Sequence, residues 1–147
     1  MTEIREMQLD DLEQVMLIEQ QNFSVPWTEM GFFSFLMRED TLFLVAEENG
    51  QILGYMGIMT VLDEGEITNV SVAQTARRRG IGQLLVKHML ERMKERDIKV
   101  VHLEVRKSNM PAISLYEKFG FAADGIRKMY YEAPAEDAIL MSCRLEK

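Results

Sequence analysis

Residues 67–83 constrain the fold of this chain more tightly than any other stretch. Ile67 to Val72 is dense in β-branched residues and free of Gly and Pro, which predicts a short buried strand. Ile81, Leu84, Leu85, Met89 and Met93 then recur at intervals of three and four, the spacing of an amphipathic helix. The chain must turn between them, and it does so through Arg77, Arg78, Arg79, Gly80 and Gly82. There the first N–H groups of the helix lack intrahelical partners and the helix dipole is positive. A phosphate would satisfy them: glycine at 80 and 82 lets the backbone come close, and the arginines add charge and forked donors. A solvated basic run before a glycine-loosened helix start accounts for the same residues, so the turn alone decides nothing.

Charge narrows the choice. A net charge of −7 argues against general nucleic-acid binding, which needs a surplus of Lys and Arg on one face. The island at Arg77 to Arg79 therefore suits one small polyphosphate better than a duplex, and the acidic surroundings favour basic peptides. The 147 residues predict one domain over 1–147 with its own core, in which the twelve methionines fill irregular gaps. The single Cys143 excludes an internal disulfide and a multi-cysteine metal site, so no metal is expected and a reducing compartment is. The charged start lacks a signal-peptide core, and no apolar run approaches the roughly 18 residues of a membrane span. The expectation is a cytoplasmic protein without membrane contact, a monomer or weak homodimer.

The flanking segments predict a mixed α/β architecture. Residues 2–7 form a first strand. Asp10 is the expected cap of a helix to about Phe23, with Glu13 completing a capping box. Pro26 breaks the chain, and Thr28 caps a second helix to about Met37. Residues 41–47 and 51–59 are two strands joined by Asn49-Gly50, a hairpin signal, and Gly54 and Gly57 mark a bulge or a close approach. With residues 67–72 they make an antiparallel meander. Residues 99–105 are the next strand, with Val101, Leu103 and Val105 on one face; a strand–helix–strand connection makes it parallel to residues 67–72. A helix opens at Met110-Pro111 with Asn109 or Ser108 as cap and closes at Gly120. Residues 121–131 and 138–145 form a last antiparallel pair joined through 133–137.

Two motifs in this order carry a family resemblance. Arg77-Arg78-Arg79-Gly80-Ile81-Gly82 resembles the acetyl-CoA pyrophosphate loop of the GNAT superfamily of N-acetyltransferases. Leu103-Glu104-Val105-Arg106, Ser108-Asn109 and the run from Ala112 to Phe121 resemble its second cofactor segment. Within the superfamily the chain is most similar to the bacterial ribosomal-protein-alanine N-acetyltransferases. The resemblance implies about seven strands and about four helices, with the central parallel pair splayed to admit the pantetheine arm of acetyl-CoA. It also implies main-chain contacts to the coenzyme from Val70, Ser71 and Val72, the pyrophosphate on residues 77–82, and a contact from Asn109.

The expected reaction is direct transfer of acetyl to the N-terminal amine of a protein, the acceptor being a ribosomal protein. Such a transfer needs a group to take the amine proton, donors to the carbonyl oxygen and a proton for the leaving thiolate. An α-amine has a reference pKa of about 7.7 to 8.0, so a base near neutrality suffices. Glu104 is the candidate base, although a strand-end carboxylate paired with Arg106 or another basic side chain has the same appearance. Tyr116 is the candidate acid, although Ala112, Ile113, Tyr116 and Phe119 share one helical face and could simply be core. Asn109 could be a helix cap as well as a coenzyme contact. Trp27 could staple to Phe32 or touch the acceptor, and Arg127, Tyr130 and Tyr131 resemble the acceptor-side wall. His88 and His102 have no triad partner, and Cys143 is expected in the core. Other outcomes of the same residues are acetylation of a lysine, polyamine or other small amine, or a non-catalytic CoA-binding module.

Overall fold

Alternation and turn chemistry build one sheet. The computed structural model describes residues 1–145. β1 (Glu3–Glu6), β2 (Thr41–Glu48), β3 (Gln51–Val61) and β4 (Glu64–Val72) run antiparallel. β5 (Val100–Arg106) lies parallel to β4, and β7 (Ala135–Arg144) and β6 (Ala122–Glu132) complete the order β1-β2-β3-β4-β5-β7-β6. Asn49 and Gly50 both have positive φ, 53° and 81°, as a tight hairpin between twisted strands requires. β5 buries Val101, Leu103 and Val105 on one face, as its alternation predicts.

Four α-helices pack on the sheet. α1 (Leu12–Asn22) and α2 (Glu29–Leu36) cover one face, where Phe32 and Tyr55 meet edge to face at 5.7 Å. α3 (Ile81–Glu95) covers the other, burying Ile81, Leu85, Val86, Met89, Leu90 and Met93. α4 (Met110–Lys118) starts on Asn109, whose side chain accepts the Ala112 N–H at 3.3 Å, and ends at Gly120 with φ 92°. Thr28 caps α2 through the Gly31 N–H at 3.0 Å. Among the described residues no helix is long and apolar enough to cross a membrane.

Three boundaries differ from the sequence-based expectation, the first being β4, which begins at Glu64 rather than Ile67, so that its parallel pairing with β5 falls wholly on residues 64–66. Asp10 does not cap α1; a short 3-10 turn precedes the helix, and the Asp11 carboxylate takes the Gln8 N–H at 2.7 Å. Arg5 grips the same carboxylate at 2.8 and 2.9 Å, a tertiary contact that sequence spacing does not reveal. The last hairpin is also tighter than a 133–137 loop, because β6 runs to Glu132 and β7 resumes at Ala135. Arg106 holds that turn, donating to the Pro134 carbonyl at 2.8 Å and the Ala133 carbonyl at 3.2 Å.

Candidate active site

The parallel pair comes apart in the middle of the sheet. β4 and β5 are in register only at Glu64–Val100, Gly65–Val101 and Glu66–His102, although both strands continue beyond. From there each presents an unpaired edge to the gap. On β4 the Ala73 N–H bonds the Leu53 carbonyl at 2.8 Å. By antiparallel alternation Ser71 also directs its main-chain groups to β3, while Val70 and Val72 turn theirs to the gap. Of the three residues expected to offer main-chain groups, two do so on this edge.

Register assigns the faces. Ile58 pairs with Ile67 and Gly57 with Asn69, so Thr68 is an extra residue that flips the alternation of β4. Glu66, Asn69 and Ser71 consequently share the face covered by α1 and α2. His102, opposite Glu66, puts Glu104 and Arg106 on that face too.

At the mouth of the gap the chain enters α3. Gly80 is the N-cap residue, with φ 77°, and no side chain caps the first turn. Its N–H groups are therefore open to an anion. The two glycines have different grounds. Gly80 supplies a left-handed backbone, whereas a Cβ on Gly82 would lie 3.2 Å from Leu115, so its bareness lets α3 approach α4. Ile81 is buried beneath them. The three arginines also diverge: Arg77 donates to Asn22 at 2.9 Å, Arg79 pairs with Glu48 at 2.7 Å, and Arg78 is exposed with φ 67°.

Glu104 stands on the β5 side. One carboxylate oxygen lies 3.4 Å from Arg127; the other is buried and has no partner among the described residues. The alternative of a carboxylate paired with Arg106 or another base is met in part: the ion pair is made by Arg127, while Arg106 is engaged by the hairpin turn and stacks over Tyr131 at 4.3 Å. The Tyr130 phenol is pushed up from its usual value, first by hydrogen-bonding interaction with the Glu104 carboxylate and then by burial, so the tyrosine is a second neighbour of that carboxylate beside Arg127. Arg127 lies 5.0 Å over the Tyr130 ring, and the Tyr130 and Tyr131 rings meet at 5.1 Å. Glu104, Arg127, Tyr130 and Tyr131 are thus brought together. A groove of about 780 Å³ runs from Glu104 past Glu66, His102, Glu64 and Asp124.

Tyr116 sits between the two halves. It is 7% exposed, its ring is 5.7 Å from that of Phe121, and its neighbour Leu115 packs toward Gly82. Burial, with a smaller effect from Tyr131, pushes its phenol up to about 12. It is therefore core by packing and a protonated donor at neutral pH by the same burial. Trp27 is stapled: its ring lies 4.9 Å from both Phe32 and Phe35, and its N–H bonds buried Glu19 at 2.9 Å. Cys143 is buried, and His102 meets Glu64 at 2.7 Å.

Sequence reasoning missed three residues around the gap. Asn22 donates to Ser71 Oγ and, at 2.8 Å, to the Val72 carbonyl, while accepting from Arg77. Glu19, 3% exposed, accepts from the Tyr55 hydroxyl and so ties α1 to β3. Asn69 buries an amide nitrogen with no partner among the described residues. A polar residue on a predicted buried strand was the one available signal for Asn69; Glu19 and Asn22 look like ordinary solvated helix positions.

The opened sheet thus sets free main-chain edges beside an uncapped helix start that can receive an anion. The family model for the acetyltransferase (GNAT) family matches residues 12–121, and the chain belongs to that family. A Bacillus subtilis (strain 168) relative is 40% identical over 139 residues, spanning 94% of this chain and 92% of its own. The ribosomal protein bS18-alanine N-acetyltransferase of Haemophilus influenzae is 38% identical, spanning 99% and 100%. The crystal structure of the ribosomal-protein-S18-alanine N-acetyltransferase from Escherichia coli superposes with a TM-score of 0.93 at 34% identity, covering 100% of this chain and 96% of that one.

Proposed function

We propose that this acetyltransferase moves the acetyl group of acetyl-CoA to the N-terminal α-amine of a protein, the alanine of a small-subunit ribosomal protein, in the cytoplasm. The observation that carries the reading is the Glu104 carboxylate on β5 of the splayed pair, with one oxygen buried and without a hydrogen-bond partner among the described residues. The names of the relatives at 38% identity and in the E. coli structure support the choice of acceptor.

The residues present fit the coenzyme. The uncapped first turn of α3, after Gly80, receives the pyrophosphate, with Arg78 free to add charge. The gap-facing main chain of Val70 and Val72 meets the pantetheine arm and the thioester, and Asn109 lies at the start of α4 beside it. Asn22 already holds the Val72 carbonyl, so the Val70 carbonyl and the two N–H groups remain for the ligand.

Glu104 accepts the amine proton, directly or through a water. The neutral amine attacks the thioester carbonyl, a β4 N–H stabilises the developing oxyanion, and the C–S bond breaks. Tyr116 faces the departing sulfur. A thiol's ordinary value is about 8.5, so a phenol held near 12 stabilises the thiolate mainly as a hydrogen-bond donor. Trp27, Tyr130 and Tyr131 frame the acceptor side, the first by holding the α1–α2 connection.

One observation bears on a second acceptor class: the groove carries the carboxylates of Glu66 and Asp124, which suit a cationic amine such as a polyamine, although Lys99, Arg127 and Arg144 line it too. Incubation with acetyl-CoA and a panel of alanine-starting peptides, ε-amines and polyamines separates the two. Turnover confined to free amines removes the protein-acceptor reading.

A further inference from the structure

Two side-chain atoms around the gap are buried with no partner among the described residues, and they are chemically complementary. One is an acceptor, Glu104 Oε2 on β5; the other is a donor, Asn69 Nδ2 on β4. The Thr68 insertion brings Asn69 onto the face that carries Glu104, and the two strands are those that part at the site. Without that bulge Asn69 would point toward α3.

The surroundings fix the amide. The Thr68 hydroxyl donates to Asn69 Oδ1 at 2.9 Å, which turns the NH2 edge the other way. Gly57 lies opposite, and a Cβ there would sit 2.7 Å from Oδ1 and 2.2 Å from Phe43, so the strand is kept bare where Asn69 crosses it. A buried amide donor left unmade costs on the order of 1–3 kcal/mol, which makes a permanent orphan expensive unless something fills the place in the working complex.

We infer that Asn69 is a specificity-determining residue whose Nδ2–H donates to the carbonyl oxygen of the acceptor's first residue while Glu104 takes the proton from its amine. The inference rests on the peptide N-terminus reading above. A protein N-terminus presents an amine and a carbonyl on the same Cα, one proton to give and one oxygen to receive a donor. β4 and β5 carry the matching donor and acceptor on one face, one on each of the two strands that part. A lysine ε-amine or a polyamine has no carbonyl at that separation and leaves Nδ2 unpaired, so the pair selects α-amines by penalising the rest.

The test is a cycle of two enzymes and two acceptors. The acceptors are an alanine-starting peptide and the same peptide with an (E)-alkene in place of its first peptide bond, which keeps the shape and removes the carbonyl. The wild type should lose about 10- to 100-fold in kcat/KM on the alkene peptide. Asn69→Ala should lose a similar factor on the natural peptide and nothing further on the alkene, with CoA affinity unchanged. Asn69→Asp, nearly isosteric and able to keep the Thr68 bond, sets an acceptor against the carbonyl and should be at least as impaired. Equal losses by Asn69→Ala on both acceptors, or a wild type indifferent to the carbonyl, overturn the assignment of Asn69 while leaving peptide acetylation in place. A wild type that acetylates free amines and no peptide overturns the acceptor reading, and this inference with it.

Discussion

The two sides of the gap are built by different means. On the coenzyme side, β4 to α3 and β5 to α4, the geometry belongs to the main chain: the left-handed Gly80, the uncapped first turn and the parted parallel strands. On the side proposed for the acceptor, β6 and β7, it belongs to side chains resting on one another. β6 is an edge strand exposed at every residue but Tyr131, its register slips twice, and Arg106 and Arg127 lie over Tyr131 and Tyr130. A main-chain cradle serves one invariant ligand, whereas a wall of exposed rings and guanidiniums can change with the acceptor. The difference predicts that lesions on one side alter coenzyme affinity and lesions on the other alter acceptor KM, with Glu104 and Tyr116 acting on the chemistry between them.

The largest effect is expected at the junction. Glu104→Gln should lower kcat by about 10²-fold or more near pH 7 with coenzyme affinity kept, because general-base help is worth about 10²–10⁴. Steady-state rates across pH check the assignment, since the deficit must narrow above pH 8 as more of the α-amine is already neutral. A rate equal to wild type at all pH retires Glu104 as the base.

Tyr116→Phe keeps the ring packed on Phe121 and removes one donor to a developing charge, a loss of about 10- to 100-fold in kcat. Its alkaline behaviour is a second measure. The folded phenol sits at about 12, above the ordinary 10, so the protonated form favours the fold fully below pH 10 and that contribution disappears as pH climbs to about 12. Urea titrations between pH 9 and 12 should find a shallower fall in the Phe variant.

The coenzyme side can be broken without touching the chemistry. Gly82→Val forces a branched side chain against Leu115, at a cost of about 1–3 kcal/mol, and displaces the start of α3. Calorimetry should find CoA binding weakened by about tenfold with acceptor KM unchanged, and Leu115→Ala should restore part of it. Unaltered affinity would mean that the α3–α4 contact does not set the cradle.

The same contrast explains what could be read in the sequence. Gly80, Asn49-Gly50, Pro111 and the alternation of β5 declare themselves locally, because each is a residue type demanded by a backbone state or a face. The meander, the parallel pair and the last antiparallel pair followed from such local signals, whereas the place of β1 at one edge and of β7 between β5 and β6 did not. That the Asp11 carboxylate turns back to the Gln8 N–H and to Arg5, with no side-chain cap on α1 from Asp10, was not legible, because Arg5 lies on a strand brought alongside by folding. Nor was the freedom of Glu104 from Arg106, which depends on a turn some 28 residues later drawing that guanidinium away. The Thr68 insertion is the subtlest case: one extra residue in β4 reverses which of Thr68 and Asn69 looks into the site, and alternation alone predicts the wrong one.

Arg106 offers the smallest effect and the sharpest division between the two sides. It sits on β5, a proposed coenzyme-side strand, yet it donates to the Ala133 and Pro134 carbonyls, meets Glu136 at 3.4 Å and lays its plane on Tyr131; Glu136 in turn accepts the Ser108 N–H at 2.6 Å, a link back toward α4. Arg106→Ala removes about one or two net hydrogen bonds and one stacking contact, on the order of 1–2 kcal/mol concentrated in a hairpin tip. The expected result is a rise of about three- to tenfold in KM for the peptide, with kcat and the Kd for CoA close to wild type. Arg106→Lys should recover little, because a point charge cannot reach two carbonyls and stack at once. If CoA affinity instead falls in step with KM, the hairpin and the cradle are one cooperative unit.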